Sequence, residues 1–297
     1  MPLSVSVVIP AYGPSPHLQA TLEVMLAATR LPDEVIISHS GPDDPSVALA
    51  PLAPRVRVMH AATRLLGGGA RNRGARAASG DVLVFMDSDV RPAPHWLDRL
   101  IAALTAGAEA ERFVVGSVGM AETGGFWGTT NWISEFSEQA PWRPAGEQTG
   151  GASCNMAVSR AAFEAAGGFA EDHQPGEDTL LFHRLRAAGM TQWFEPSARV
   201  EHFNQHGYAA FQRHQERLGY HSALVRQQVA LDGSIATRLR PLGLLLWLAR
   251  LGRIIGRMTG GGPAWWLRIL THGPAILVGT WIWSVGFLSR TYGASAD

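Results

Sequence analysis

The chain has 297 residues, 46% of them hydrophobic and 17% charged, which is enough for one large α/β domain with or without an appendage. Its 25 basic residues are all arginine and balance 25 acidic residues, so no excess of positive charge points to nucleic acid. The single cysteine, Cys154, excludes an intramolecular disulfide framework and predicts a reducing compartment.

Strand and helix patterns alternate through the first third of the chain. The spacing of apolar residues predicts strands at 5–10, 34–37, 55–59 and 82–86, a helix over 16–30, and a glycine-rich turn at 67–69 that opens a helix over 70–79. This order predicts a parallel, doubly wound sheet, in which ligands bind beyond the carboxyl ends of the strands. We therefore expect one crevice formed by residues 10–12, 38–40 and 87–89.

The middle of the chain has less regular patterns. Residues 124–146, rich in Gly, Trp and Pro, predict a long loop with a short helix, and their aromatic residues are compatible with ligand binding, with membrane contact or with a core position. Ser159 is the predicted N-cap of a helix that ends at Gly167-Gly168. The other predicted elements are helices at 94–104, 177–188 and 207–230, strands at 113–118 and 154–158, and a short strand or turn at 200–203.

The end of the chain differs in composition from the rest. From Gly233 to Ala296 there is no acidic residue, while seven arginines and five of the ten tryptophans lie there. This asymmetry predicts a catalytic domain over residues 1–232 and a membrane-associating helical tail over residues 233–297.

Two patterns in the tail suggest contact with a membrane. Arg250, Arg253 and Arg257 share one helical face opposite apolar residues, as in a basic helix that lies in a membrane interface. Residues 269–289 lack charged side chains and are just long enough to span a bilayer. A buried helical hairpin and an oligomer contact remain alternatives to both.

Two carboxylates follow the apolar strand at 82–86. Asp87 and Asp89, on either side of Ser88, point to the same side if strand geometry persists. Paired hard oxygen ligands at a strand end suit Mg²⁺ or Mn²⁺ and, through the ion, a diphosphate. In isolation, an Asp-x-Asp triplet is more often a polar turn, so the interpretation depends on the rest of the chain.

The ordered motifs of the chain resemble one family. Over about residues 3 to 205 the sequence is similar to the family-2 inverting glycosyltransferases of the GT-A fold, an α/β fold. The resemblance implies sugar transfer from a nucleotide-diphosphate donor with inversion and a divalent metal. The motifs that carry it are residues 5–12, 71–74, 80–81, 87–89, 150–151, 167–169 and 176–178.

The resemblance also implies roles for single residues. Asp89, supported by Asp87, would hold Mg²⁺ or Mn²⁺, although Asp87 is also suited to a ribose contact. His202 would complete the metal site, with His206 as its competitor. Asp178 would be the catalytic base, and Glu177 would contact the acceptor or orient Asp178. Acidic residues are also common in a first helical turn for purely electrostatic reasons.

The donor site has expected residues and one departure. The residues expected to contact the donor are Pro10, Ala11, Tyr12, His39, Arg71, Asp87 and Ser88. Arg71 is equally suited to a structural ion pair, and Tyr12 to the core. The paired acids usual after the second strand are replaced by His39 and Ser40, which leaves UDP, GDP and dTDP open as donor nucleotides.

The sequence favours one function over two others. The absence of a Gln-x-x-Arg-Trp motif favours addition of a single sugar. The predicted membrane-associating tail and its arginines favour a lipid-linked or glycan acceptor at the cytoplasmic face of the cell membrane. A sugar nucleotidyltransferase needs a basic loop near the first strand, and residues 11–16 contain no arginine or lysine. A non-catalytic nucleotide-sugar-binding or membrane scaffold is favoured by His39-Ser40 but opposed by the presence of Asp87, Asp89 and Asp178.

Overall fold

The computed structural model describes residues 3–52, 55–106, 111–121, 125–173, 175–204, 207–243 and 245–292. The chain divides into two compact units. The first unit comprises Met1–Gly119 with Pro144–His202, and the second comprises Met120–Arg143 with Phe203–Asp297. The segment 203–232, which the sequence analysis joined to the catalytic part, thus belongs to the second unit. The functional roles of the two predicted parts remain a prediction.

The first unit contains one sheet with helices packed against it. Its described strands are β1 (Val5–Tyr12), β2 (Glu34–Ser40), β3 (Val56–Ala61), β4 (Val82–Met86), β5 (Val90–Pro92), β6 (Arg112–Met120), β7 (Gly146–Glu147), β8 (Asn155–Ser159) and β9 (Thr191–His202). Its described helices are α1 (Leu18–Leu26), α2 (Ser46–Leu49), α3 (Gly67–Ala77), α4 (Trp96–Thr105), α6 (Arg160–Ala165) and α7 (Glu177–Ala187). The predicted α/β class is confirmed.

The sheet is mixed and not wholly parallel. Its order is β3-β2-β1-β4-β8-β6-β9-β5, with β7 beside β9. The pairs β3-β2, β2-β1 and β1-β4 are parallel, whereas β8 runs antiparallel to β4 and to β6. The prediction of a parallel sheet therefore holds only through β4. Beyond β4 the strand patterns no longer alternate regularly with helices, and the sequence gives no signal for strand direction there.

Helix α3 begins three residues earlier than predicted. Gly67, Gly68 and Gly69 form its first turn instead of a separate turn. A Cβ atom at Gly68 would lie 2.2 Å from the carbonyl oxygen of Ala170, and one at Gly74 would lie 2.5 Å from Cγ1 of Val8. The absence of a side chain at Gly68 and Gly74 thus allows α3 to pack closely against Ala170 and Val8. A run of glycines in the sequence does not reveal whether it forms a turn or a closely packed helix.

The second unit is helical. Its described helices are α5 (Gly125–Phe136), α8 (Tyr208–Gln228), α9 (Arg240–Gly243), α10 (Leu246–Met258) and α11 (Pro263–Tyr292). Much of the predicted loop at 124–146 is therefore helix α5. Trp132 and Phe136 are buried there, and the ring centroid of Trp132 lies 4.9 Å from that of Trp265. Burial of these aromatic residues outweighs the weak helix propensity of the segment, so Trp132 and Phe136 belong to the core.

Two of the three arginines on the predicted basic face of α10, Arg250 and Arg257, make contacts inside the second unit, whereas Arg253 is exposed. Nη2 of Arg250 donates to the Ser134 carbonyl oxygen over 3.2 Å, and Nη2 of Arg257 lies 2.7 Å from Oε1 of Glu138. Burial lowers the pKa of Arg250 to about 9, with the charge of Glu135 opposing the shift. Ile254 and Met258, on the predicted apolar face, are buried as well. Both faces of α10 are therefore partly covered within the second unit, which differs from the predicted interfacial helix.

Helix α11 contains the stretch at 269–289. None of the helices in the described ranges is long and apolar enough to cross a bilayer, which corrects the alternative that this stretch is a membrane span.

Candidate functional site

The carboxyl ends of β1, β2 and β4 bring the predicted crevice residues to one edge of the sheet. Ala11 is paired with His39, and Tyr12 with Ser40. Strand β1 continues past Pro10, where the sequence predicted its end. The pairing of β1 with β4 stops at Val8. Beyond Val8, β1 has no neighbouring strand on its β4 side, so the missing N–H of Pro10 interrupts no backbone hydrogen bond there.

Three possible metal ligands meet at this edge. Single ligand atoms of Asp87, Asp89 and His202 all lie within 4.8 Å of one another. His202 ends β9 opposite Val90, and its Nε2 atom is 3.6 Å from Oδ1 of Asp89. The predicted competitor, His206, lies outside the described residues.

The chemistry of this group fits a divalent cation. Two carboxylates and one imidazole at this spacing can surround an ion whose ligands lie about 2.0–2.2 Å away, and carboxylates suit Mg²⁺ and Mn²⁺. A structure with three protein ligands leaves other coordination positions for a diphosphate.

Arg71 joins the first of these acids to α7. Its Nη2 atom lies 2.5 Å from Oδ1 of Asp87, and its Nη1 atom lies 2.9 Å from Oε1 of Glu177. Burial by itself would lower the pKa of Arg71, but the two carboxylates raise it above its ordinary value. Of the two interpretations left open by the sequence, the ion pair is the one present in this structure.

Asp178 lies in the first turn of α7, directly after Glu177. Burial, reinforced by the charge of Glu177, raises the pKa of Asp178 to about 7. Arg71 and backbone hydrogen bonds from Thr179 and Ser153 oppose that shift. A carboxyl group with this pKa exchanges a proton near neutral pH, which is the property that a general base requires.

Glu177 is buried and directed toward Arg71. Its Oε1 atom accepts from Arg71, whereas its Oε2 atom is buried with no hydrogen-bond partner in the part of the chain that the structure describes. The charge of Glu177 acts on the pKa of Asp178. The two predicted roles of Glu177, contact with the acceptor and orientation of Asp178, stay predictions.

A second contact ties α3 to the loop before α7. The side chain of Asn72 donates to the carbonyl oxygen of Phe169 over 2.9 Å and accepts from the Phe169 backbone nitrogen over 2.8 Å. Gly168 has φ +68, and a Cβ atom there would lie 2.6 Å from Oδ1 of Asn72. The Asn72–Phe169 hydrogen bonds and the close approach of Gly168 thus connect the motif at 71–74 directly with the motif at 167–169.

His39 is committed to protein contacts. Its Nε2 atom lies 3.1 Å from the Gly13 carbonyl oxygen, and its Nδ1 atom lies 3.1 Å from Nδ1 of His60. The rings of the two histidines are stacked, with centroids 5.3 Å apart. With both nitrogens engaged, His39 does not offer a hydrogen bond to a nucleobase in this structure. His60, which lies opposite His39 in the parallel register of β2 and β3, was not predicted from the sequence.

A cavity of about 380 Å³ lies beside His39. It is large enough for a nucleobase, and the acids Asp43 and Asp44 line it together with Gly13 and Pro14. Oδ1 of Asp44 accepts from Ser46, which lowers the pKa of this exposed carboxyl group. No role was predicted for these acids from the sequence.

The remaining predicted donor residues lie around the same strand ends. Tyr12 is 52% exposed, which excludes a core position, and the guanidinium carbon of Arg64 lies 4.6 Å from its ring centroid. Ala11 is buried, whereas Pro10 and Ser88 are partly buried. Arg64 carries no motif signal and was not predicted.

Known proteins share sequence similarity with this chain. Residues 6–167 match the family model described as Glycosyl transferase family 2. An N-acetylglucosaminyl-diphospho-decaprenol L-rhamnosyltransferase of Mycobacterium tuberculosis is 31% identical over 237 residues, 67% of this chain and 76% of the relative. Glycosyltransferase AglD of Haloferax volcanii is 36% identical over 114 residues, 35% of this chain, and the aligned region spans only 18% of AglD.

Solved structures show the same fold. The mannosyltransferase PcManGT from Pyrobaculum calidifontis, in complex with GDP-Man and Mn²⁺, has a TM-score of 0.63 and 16% sequence identity, with 98% of this chain and 87% of that chain covered. The similarity covers the mixed sheet and its flanking helices, and it confirms the predicted GT-A fold. Because the family model matches more than half of the chain and the mycobacterial relative aligns over 237 residues, the chain belongs to glycosyl transferase family 2.

Proposed function

We propose that this protein transfers one sugar from a nucleotide-diphosphate donor to an acceptor hydroxyl, with inversion at the anomeric carbon. The observation that carries the proposal is the connection of two acidic groups through one arginine. Arg71 contacts Asp87 at the strand edge and Glu177 beside Asp178. A diphosphate-binding group and a candidate base thus lie on elements that are fixed to each other within the first unit.

Asp178 is the proposed general base. The acceptor oxygen forms a bond to the anomeric carbon on the face opposite the diphosphate, while the bond from that carbon to the departing phosphate oxygen breaks. The acceptor proton passes to the Asp178 carboxylate, and the nucleoside diphosphate leaves with the bonding electrons. The raised pKa of Asp178, about 7, supports this role because the base must hold a proton after accepting it.

Asp87, Asp89 and His202 are the proposed residues that hold Mg²⁺ or Mn²⁺. An ion there would neutralise charge on the departing diphosphate. The neighbour bound to GDP-Man and Mn²⁺ supports this proposal by analogy of fold. Pro10, Ala11, Tyr12 and Ser88 are proposed to line the donor site.

The proposed acceptor is lipid-linked or a glycan, and the proposed location is the cytoplasmic face of the cell membrane. The name of the mycobacterial relative, which refers to a decaprenol-linked acceptor, supports a lipid-linked acceptor for this chain. The net positive, tryptophan-rich end of the sequence supports contact with a membrane surface.

A binding experiment followed by a transfer assay tests the proposal. Calorimetry with a panel of nucleotide-sugars, in Mn²⁺ and in EDTA, should identify one donor that binds only with metal. That donor should then support transfer to polyprenyl-diphosphate-linked acceptors with inverted product configuration, read by nuclear magnetic resonance. Absence of binding to every donor would favour the scaffold alternative instead.

A further inference from the structure

One face of α11 is apolar and exposed along most of the helix. The face consists of Leu267, Leu270, Leu277, Val278, Trp281 and Val285, and we refer to these six residues as the α11 stripe. Leu270 is 75% exposed and Leu267 is 62% exposed, which is unusual for leucines in a folded protein. The stripe has no charged member.

Helical geometry makes the stripe continuous. Its members are separated in turn by three, seven, one, three and four residues, which places them within about 100° of one another around the helix axis and on one side over roughly 27 Å. The opposite side packs inside the second unit. A Cβ atom at Gly286 would lie 2.2 Å from the Glu216 carbonyl oxygen, and Phe287 is fully buried. The exposed side is therefore distinct from the helix–helix core.

Helix α10 extends the apolar surface. Leu245 and Leu248 are 55% and 48% exposed, and the ring of Trp247 lies 6.3 Å from that of Trp281 on the stripe. Ile255 of α10 is 38% exposed as well, and Arg253 is an exposed arginine of the same helix. Contiguous exposed apolar surface of this extent marks an interaction site.

Charge identifies the kind of partner. The second unit contains eleven arginines and six acidic residues, whereas the first unit contains fourteen arginines and nineteen acidic residues. The unit that carries the stripe is therefore positive by five charges, and the other is negative by five. A positive apolar surface complements anionic lipid. A second copy of the same surface would instead add like charge.

We infer that the α11 stripe is the surface that rests on an anionic lipid bilayer, with α11 lying in the plane of the interface. This inference deepens the proposed membrane association and replaces the arginine face of α10 as its contact surface. Leucine and valine side chains enter the acyl boundary, and Trp281 lies at the level of the lipid headgroups. Exposed arginines of the same unit, such as Arg253, supply the attraction to anionic lipid.

Vesicle flotation tests the inference with the full-length chain. One vesicle set contains equal parts of phosphatidylglycerol and phosphatidylcholine, and the other contains phosphatidylcholine alone. The test variant is Leu270→Glu with Leu277→Glu. The matched control is Leu3→Glu with Val47→Glu, two exposed apolar residues of the first unit, one of them 87% exposed. All four substitutions affect exposed side chains, and circular dichroism verifies that each variant is folded.

The wild type and the control should float with anionic vesicles, and the stripe variant should bind them on the order of tenfold or more weakly. Equal binding by the stripe variant, or no binding by the wild type, would overturn the inference. The inference would also be overturned if the wild type were a dimer, and if the stripe substitutions dissociated that dimer without changing vesicle binding. The stripe would then be a contact between two copies of the chain. Equal wild-type binding to both vesicle sets would contradict the anionic component.

Transfer to a water-soluble acceptor separates this inference from the proposed activity. The stripe variant should retain wild-type transfer rates in solution, because none of its substitutions lies in the first unit. A protein that floats as expected but transfers no sugar would disprove the proposed activity and leave the lipid surface intact.

Discussion

Nη1 of Arg71 lies 2.9 Å from Oε1 of Glu177, and the same guanidinium group contacts Asp87 through Nη2. Arg71 and Glu177 are both buried and are separated by 106 residues in the sequence. One ion pair thus fixes the start of α7, with Asp178, relative to the strand edge that carries the metal-ligand candidates. The first three predictions concern the groups joined by this link.

Replacement of Arg71 should be strongly destabilising. Arg71→Met leaves Glu177 as a buried carboxylate without its partner, which costs about 3–5 kcal/mol. Arg71→Lys restores charge but only one of the two contacts, so it should have an intermediate effect. Chemical denaturation of both variants measures this, with the exposed Arg76→Met as a matched control. A loss for Arg71→Met as small as that of the control would contradict the prediction.

Asp178→Asn should abolish transfer without abolishing donor binding. An amide cannot accept the acceptor proton, and loss of a general base reduces kcat by roughly 10²–10⁴-fold. Single-turnover transfer and donor calorimetry measure the two effects separately. Glu171→Gln, which alters an exposed acid of the loop before α7, serves as the control. Near wild-type transfer by Asp178→Asn would exclude this residue as the base.

The pH dependence should follow Asp178. Its pKa of about 7 means that the active carboxylate form is lost as pH falls, so kcat/KM should rise up to about pH 7 and then level off. The effect on stability has the opposite direction. The folded state holds this proton more tightly than the unfolded state, so the stabilising contribution is complete below about pH 4 and disappears as pH rises through about 7.

Asp178→Asn separates these two effects. At pH 8 it should raise the free energy of unfolding relative to the wild type, while at pH 4 the difference should be small. Denaturation curves at the two pH values measure the change. A wild-type activity profile that stays level from pH 5 to pH 8 would show that Asp178 does not titrate as proposed.

Asp89→Asn should weaken donor binding only where metal is present. The substitution removes a charged ligand from the group of Asp87, Asp89 and His202, while Asp87 keeps its contact with Arg71. Calorimetry in Mn²⁺ should show the loss, and in EDTA the mutant and wild type should bind equally weakly. Asp98→Asn, in α4, is the control. Wild-type affinity of Asp89→Asn in Mn²⁺ would contradict the assignment of the site.

Gly68→Ala should disturb the packing of α3. The added Cβ atom would lie 2.2 Å from the Ala170 carbonyl oxygen, so the backbone must shift, at a cost of about 1–3 kcal/mol. Gly252→Ala, in α10, meets no atom within 4 Å and should be neutral or slightly stabilising. Thermal unfolding of both variants compares them directly, and equal melting temperatures would show that α3 adjusts without strain.

The sequence by itself determined the α/β class, the strand-end position of Asp87 and Asp89, and the placement of Asp178 at a helix start. These features follow from short-range patterns, because apolar runs fix strands and the end of a run fixes the position of the next polar residue. The N-cap role of Ser159 was also local and is confirmed by its hydrogen bond from the Ala162 nitrogen.

Only the tertiary structure decided which of these groups meet and which way the helices face. The antiparallel entry of β8 and the commitment of His39 to Gly13 and His60 depend on partners that are distant in sequence. The surroundings of α10 depend on distant partners for the same reason. An amphipathic pattern identifies two faces, but partners such as Glu138 decide that Arg257 is held inside the second unit while Leu248 remains exposed.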